Sequence, residues 1–399
     1  MRTVFKVLIT WITLLILDTS LKYAWRDDEL KQPRPKRVLL LLAFVINSYI
    51  TDLAIQQITI GYKKRNKITA RYVTKGLIAF GLVTNSASYT ISSNYQLIND
   101  LAKLGFLMLG YTQMIGLTFI ATYILTKSQI LTLSRKLHSI SLLLATIVTV
   151  YGVYNCISDW HITEIDYKMQ NFKADNFKIV FITDIHINPA IGERDIEYLI
   201  AKVNTLNPDL VLLGGDLIDM PVKEGAHILA HLRNLTPKIG VYFAPGNHDY
   251  KSDIEELVKQ LNKLGVKSLM NQKVRIFGDE GWFYLSGVED LGATNQHRLD
   301  FELALDGRVT NRETILLTHR PITADMALSK YKNINLILCG HTHGGESFPM
   351  SILIYLTNPY FAGEYDVTDS KIFVSVGAMY YNIPIRHVFK REIVVINLN

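Results

Sequence analysis

Apolar positions along this chain fall into two regimes. Before about Asn155 they come in long runs, from Val4, Val38, Leu77, Leu101 and Ile140, separated by short basic stretches. Beyond Trp160 they come in short β-rich runs that alternate with turn residues and with stretches of helical period. A run approaching the roughly 20 residues needed to cross a bilayer reads as a membrane helix, whereas short runs bounded by turn residues read as strands of an α/β domain.

Five helices are therefore expected, over 4–23, 38–60, 77–92, 101–126 and 138–155, making residues 1–155 an all-α transmembrane domain. The third is the least apolar, because Thr84, Asn85, Ser86, Ser88 and Thr90 dilute it; without it the count is four. Val4–Leu17 has the length of a signal-peptide core, but no small-x-small cleavage site follows and further apolar segments do, so it is read as a retained helix. Asp52 lies inside the second run, where a helix-end or bundle-interior position explains it more simply than an ion path. Residues 156–176 are read as a linker and first strand, and 177–399 as the second domain. Strands are expected at Ile162–Met169, Phe177–Thr183, Leu210–Leu213, Trp282–Ser286, Thr314–Leu317, Asn335–Leu338 and Ile372–Val376, with helices at Arg194–Leu206 and Ile254–Leu264.

Composition sharpens this division. Hydrophobic residues make up 49% of the 399 and charged residues 20%, and the mean hydropathy of +0.15 is high for a soluble enzyme. Before Cys156 stand 18 Lys and Arg against 6 Asp and Glu, and from there on 24 against 30, so the basic pI near 9.0 belongs to the first half. Its basic residues sit in short loops, where they meet anionic headgroups and set topology. No basic and aromatic strip accompanies them, so nucleic acid is not an expected partner. With five spans, Arg2, Lys6 and the 63–75 and 127–136 loops place 11 basic residues on one side against 7 on the other. That assigns the first set to the cytoplasm and the C-terminal domain to the extracytoplasmic side, an assignment that a four-span count breaks. Cys156 and Cys339 form no metal-binding or disulfide pattern.

The chemistry is concentrated at strand ends. Asp184 and His186 follow the strand ending at Thr183, and Gly214-Gly-Asp-Leu-Ile-Asp219 follows Leu213. Gly246-Asn-His-Asp249 follows Val241–Pro245, His319 follows Leu317 and Thr318, and Gly340-His-Thr-His-Gly-Gly345 follows Cys339. Five apolar strands each delivering Asp, Asn or His at the carboxyl end is where α/β sheets place ligands, and structural roles do not explain the recurrence. Imidazole, carboxylate and amide ligands without thiolate suit divalent Mn, Fe, Zn, Co or Ni.

Together, D-x-H, G-D-x-x-D, G-N-H-D, a separate His and G-H-T-H resemble the motif series of the calcineurin-like metallophosphoesterase superfamily. Asp184–Gly192, Leu206–Leu210, His319-Arg-Pro321 and Pro384-Ile-Arg386 resemble its membrane-associated branch typified by YkuE and YaeI, also seen in transmembrane proteins with a metallophosphoesterase domain. The resemblance covers about Ile162 to Leu398. It implies a four-layered α/β/β/α sandwich and two divalent metal ions, one held by Asp184, His186, Asp216 and His343, the other by Asp216, Asn247, His319 and His341. It also implies that His248 faces the leaving oxygen as general acid or donor and that Asp219 orients it, a helix-start or turn cap being the alternative reading of Asp219. Arg320 and Arg386 are candidate phosphate contacts or internal salt bridges. Glu346 stands where relatives often carry Gln and puts negative charge near the site. Met220 stands where phosphoprotein phosphatases carry Arg and argues against that branch.

The expectation is a hydrolase of phosphoric ester bonds, integral to a bacterial inner or plasma membrane. Its partners are the lipid bilayer and a phosphorylated small-molecule or lipid substrate, possible classes being a lipid-linked phosphoester or pyrophosphate. A cell-envelope phosphodiesterase and a non-catalytic phospho-ligand sensor at the membrane are the competing readings.

Overall fold

The computed structural model describes residues 135–399 apart from 294–296, 310, 382 and 399, together with scattered helical positions between Asp100 and Ile115. The helices expected at 4–23, 38–60 and 77–92, and most of that at 101–126, lie outside the described residues. The one expected at 138–155 coincides with helix α1, Arg135–Ile157, whose apolar exposed surface includes Leu143, Ile147, Val150 and Ile157. Among the described residues, no helix is long and apolar enough to cross a membrane. The chain divides into two compact units between Tyr151 and Gly152, inside α1. On the Tyr151 side the Tyr111 hydroxyl lies 3.0 Å from Thr146 Oγ1.

On the Gly152 side, strands numbered in chain order form two sheets. The first runs β1 (His161–Tyr167), β13 (Glu392–Leu398), β3 (Phe177–Ile182), β4 (Leu210–Leu213), β5 (Gly240–Phe243), β6 (Val266–Ser268). The second runs β11 (Gly363–Val367), β12 (Ser370–Val374), β10 (Leu336–Cys339), β9 (Thr314–Leu317), β8 (Glu280–Gly287), β2 (Phe172–Lys173), with β7 (Gln272–Phe277) also paired to β8. Each contains a parallel block, β3-β4-β5-β6 in one and β8-β9-β10-β12 in the other, so each sends several carboxyl ends to one edge.

Period-two alternation separates the layers. Ile179, Phe181, Leu210 and Leu212 meet Leu285, Ile315, Leu317, Leu336 and Leu338 in a core between the two sheets. The intervening Val180, Ile182, Val211 and Leu213 face the other way, onto helices α2 (Glu193–Thr205), α3 (Val222–Leu229) and α5 (Ile254–Lys263). Leu316, Ile337 and Cys339 likewise face α6 (Phe301–Leu305) and α7 (Pro321–Lys330). The order of layers is helices, sheet, sheet, helices. Strands buried on both faces explain why β4 and β10 read as unbroken apolar runs. In α2, Ile196, Leu199, Ile200 and Val203 recur at helical spacing as its buried stripe, and acidic Glu193 and Asp195 sit in its first turn, where the helix dipole favours them.

Arg386 locks the chain between β12 and β13 onto the rest of this unit. Its side chain is fully buried, and its guanidinium donates to the carbonyls of Met379 (2.5 Å), His343 (2.9 Å), Phe389 (3.2 Å) and Val376. The structure thus corrects the reading of Arg386 as a phosphate contact or salt bridge: its partners are backbone carbonyls, which chains running between strands must satisfy when buried. Arg386→Met orphans these acceptors and is expected to lower the stability of the full chain by about 3 kcal/mol or more. Urea unfolding in detergent reads this as a lower midpoint; an unchanged midpoint returns Arg386 to the substrate.

Candidate metal centre

The carboxyl ends of β3, β4 and β5 from one sheet and of β9 and β10 from the other meet at one place. There the backbone turns sharply: Asp184 (φ 57°), His186 (51°), Asp216 (52°), His341 (73°) and His343 (52°) all lie in the left-handed region. Such conformations cost of order 1–3 kcal/mol each in a non-glycine residue and persist only where the surroundings over-determine them. Here Asp249, fully buried in helix α4 (Asn247–Lys251), accepts from the N–H groups of Asp216 (2.9 Å), Leu217 (2.8 Å) and Gly246 (2.8 Å). His186 N–H donates to the Asp216 carbonyl at 2.9 Å, and His341 N–H donates to the Asp184 carboxylate at 3.1 Å. Two glycines are required by space: a Cβ at Gly340 collides with Asp184 and Thr183, and one at Gly246 with the Asp216 carboxylate.

Six of the seven side chains expected as ligands converge around Asp216, where His248 also joins His186 and Asp216. Asp184, His186 and His343 form one cluster, Asp216, His319 and His341 another, and in each the ligand atoms lie within 4.8 Å of one another. His343 Nε2 stands 3.0 Å from His186 Nε2 and 3.2 Å from Asp184 Oδ1; His186 Nε2 is 3.7 Å from Asp216 Oδ2, and His319 Nε2 is 3.1 Å from the same oxygen. Ligands about 2.1 Å from one ion stand about 3.0–3.4 Å apart in octahedral or tetrahedral geometry; three of these separations match that spacing and the 3.7 Å one is longer.

The protonation pattern points the same way. His319 Nδ1 lies 2.9 Å from the Gly214 carbonyl and can only donate to it, which leaves Nε2 with a lone pair in the neutral ring. That Nε2 lies 3.1 Å from Asp216 Oδ2, and Asn247 Oδ1 is buried with no hydrogen-bond partner. A proton on Nε2, or a metal ion in its place, satisfies the His319–Asp216 pair. His186 is held similarly, its Nδ1 2.9 Å from Asp219 Oδ2. The His and Asp clusters thus fit a binuclear divalent metal site.

Charge balance is tight. Burial alone raises the Asp184 and Asp216 carboxyls, but the charges of His343, His186 and His319 around the first, and of His319, His248 and His186 around the second, hold both well below the usual range. Burial lowers His319, but Asp216 and Asp184 outweigh it and bring the ring up to about 9. His341 is pushed down by burial and by the His319 and Arg320 charges, and so favours the neutral, lone-pair form. Burial and the Asp216 charge push Asp249 up to about 7, against the three N–H groups it accepts.

Around these ligands, Asp219 touches two imidazoles: Oδ2 faces His186, and Oδ1 lies 2.6 Å from His248 Nδ1. Asp219 therefore bridges a candidate ligand and the candidate acid, a double contact that neither motif spacing nor a helix-cap reading indicates. His248 N–H donates to Asp216 Oδ1 at 2.7 Å, which turns Oδ2 toward His319 and His186. Arg320 Nε is held by the buried Asp290 carboxylate at 2.8 Å, an internal salt bridge beside His341. Two residues not singled out from sequence belong here. Asp290 is one, and Tyr381 is the other, its ring centroid 5.1 Å from both His186 and His248. Tyr381 follows the strands in a stretch without β or helical period, so no pattern marks it. Its N–H donates to Glu346 Oε1 at 2.7 Å. Glu346 is thereby spent on positioning the backbone, and burial pushes its carboxyl up.

A sequence model described as calcineurin-like phosphoesterase matches residues 177–345. The chain is 34% identical over 265 residues to a transmembrane protein with metallophosphoesterase domain from Danio rerio, covering 64% of this chain and 61% of that one. Its Bos taurus counterpart is 36% identical over 277 residues, covering 65% and 62%. An uncharacterized metallophosphoesterase of Campylobacter jejuni is 33% identical over 272 residues, covering 66% of this chain and 70% of its own. The match thus spans less than two thirds of the two vertebrate relatives and more than two thirds of the bacterial one. With that coverage, and the motif residues gathered into one site, the chain belongs to the calcineurin-like metallophosphoesterase family.

Proposed function

We propose that this protein is a membrane-associated hydrolase of phosphoric ester bonds that uses two divalent metal ions, and that its substrate is a lipid-linked phosphoester or pyrophosphate. The observation that carries the reading is the convergence of Asp184, His186, Asp216, His319, His341 and His343 in overlapping clusters whose ligand atoms lie within 4.8 Å of one another. On this reading Asp184, His186, Asp216 and His343 hold one ion and Asp216, Asn247, His319 and His341 the other. Bound there, two such cations polarise phosphoryl oxygens, activate a water for in-line attack and leave net positive charge for an anionic substrate.

The chain's own residues do the rest. His248, whose Nδ1 is engaged by Asp219, directs its other nitrogen, Nε2, as the donor to the leaving oxygen. Asp219 fixes both that ring and His186, so orientation of the donor and of a ligand is set by one carboxylate. Arg320, turned by Asp290, offers its remaining guanidinium N–H groups to a phosphate oxygen. Membrane association is supported by the apolar exposed surface of α1, by the printed names of the vertebrate relatives, and by the long apolar runs before Asn155. The same loop charges support residues 1–155 as the membrane domain and an extracytoplasmic catalytic domain.

Metal content by mass spectrometry, with turnover of a water-soluble aryl phosphate ester, tests the site. Asp216→Ala is expected to lose both ions and turnover, since Asp216 is the shared ligand; a variant that keeps both sinks the two-metal reading. His248→Asn is expected to retain two ions while kcat falls by about 10²–10⁴-fold, with a smaller defect for esters whose leaving group needs no proton. Asp219→Asn is expected to weaken metal affinity about 10–100-fold as well as kcat, because it releases both rings. A kcat defect at full metal affinity would confine Asp219 to His248.

A further inference from the structure

Helix α8, Met350–Thr357, buries none of its eight residues and contains no charged side chain. Ile352, Tyr355 (63% exposed) and Leu356 (73%) stand in solvent, and Phe348 just before it is 48% exposed. A helix on a globular surface normally carries one apolar stripe facing the core; this one turns Ile352, Leu353, Tyr355 and Leu356 outward. Exposed apolar surface of this kind marks an interaction site.

The helix is tied to the metal centre. The 3₁₀ turn His343–Gly345, which carries a candidate ligand, packs on α8 so closely that a Cβ at Gly345 collides with Ser351. From Phe348 the patch continues across the chain that follows β12: Phe348 N–H donates to His387 Nδ1 at 3.1 Å, and Val388 and Phe389 next to it are 45% and 37% exposed. It then reaches the last turns of α1, where Arg386 N–H donates to the Gly152 carbonyl at 2.9 Å and Asn155 donates back to the Arg386 carbonyl at 2.9 Å. Lys390 Nζ lies 5.2 Å from the Tyr154 ring centre there and adds a cation to the edge of the patch.

We propose that α8 and the Val388–Phe389 turn form a lipid-docking surface that seats the catalytic domain on the bilayer and opens the metal centre toward a phosphoester presented from it. The proposal rests on the membrane association proposed above and deepens it by assigning the contact. A bilayer is the occupant for three reasons. A bilayer surface covers the exposed flank of a helix whose other side packs on the His343–Gly345 turn. The patch reaches Tyr154 in the last turn of α1, which is itself exposed. Lys390 at its edge complements anionic headgroups.

The test uses the full chain with Leu356→Cys carrying an environment-sensitive fluorophore, in phosphatidylcholine and phosphatidylglycerol vesicles. Tyr355→Cys serves as a second site, and Asp279→Cys, at the β7–β8 turn, as the aqueous control. Quenching by nitroxide-labelled lipid is expected to be severalfold stronger at 355 and 356 than at 279, and quenching by iodide severalfold weaker. Iodide access at 356 equal to that at 279 overturns the docking. So does protection of 355 and 356 from both quenchers, which assigns the patch to a protein contact such as a second copy of the chain. Turnover of a water-soluble aryl phosphate is read separately on the unlabelled protein. Lipid quenching without turnover upholds docking and counts against the hydrolase, whereas turnover with 356 in water removes the docking alone.

Discussion

The buried carboxylate of Asp249 accepts three backbone N–H groups, from Asp216, Leu217 and Gly246, and so ties the loops that leave β4 and β5 into one piece. Its location is costly by itself, because burial and the neighbouring Asp216 charge both oppose its ionisation. What it secures is the left-handed turn at Asp216, which the local sequence does not favour and which points one carboxylate oxygen at His248 N–H and the other at His319. Every feature of the centre that involves Asp216 follows from that fixed orientation.

Four more left-handed residues surround it, and their positions follow a single logic. A side chain at the end of a strand ordinarily continues the alternation of the sheet and points above or below it. A left-handed step rotates it toward the strand axis, into the space beyond the edge where the two sheets' carboxyl ends meet. Asp184 and His186 come from one sheet and His341 and His343 from the other, each with this step. The strain is held by hydrogen bonds that cross between the loops, such as His341 N–H to Asp184 and Met379 N–H to the Asp184 carbonyl.

Stability and site geometry are also joined at the C-terminal side. Arg386 collects carbonyls from His343, Val376, Met379 and Phe389, and Glu346 takes the N–H of Tyr381, so the chain that leaves β12 is pinned beside the imidazoles rather than left as a loose connection. A buried charge that serves only carbonyls is satisfied by its geometry, since the guanidinium's five donors spread in one plane reach several acceptors at once. Tyr381 reaches His186 and His248 because of this pinning.

The hydrophobic pattern alone determined the strands that carry the site, and residue type at their ends determined its chemistry. Apolar runs of four such as Leu210–Leu213 and Leu336–Cys339 have no other stable setting than a sheet buried on both faces, and Asp, Asn and His placed after them retain that position whatever the packing. Local rules also sufficed for α2 and α5, whose apolar spacing and first-turn acids are self-consistent. Tertiary structure decided what depends on contacts between distant segments. Asp219 and His186 are 33 residues apart and share a bond, Arg386 turned from a candidate phosphate contact into a buried tie, and Glu346 became a support for Tyr381. Sequence fixes which groups a residue carries, but which of them remain available to a ligand is settled only when the packed backbone has claimed its own hydrogen bonds.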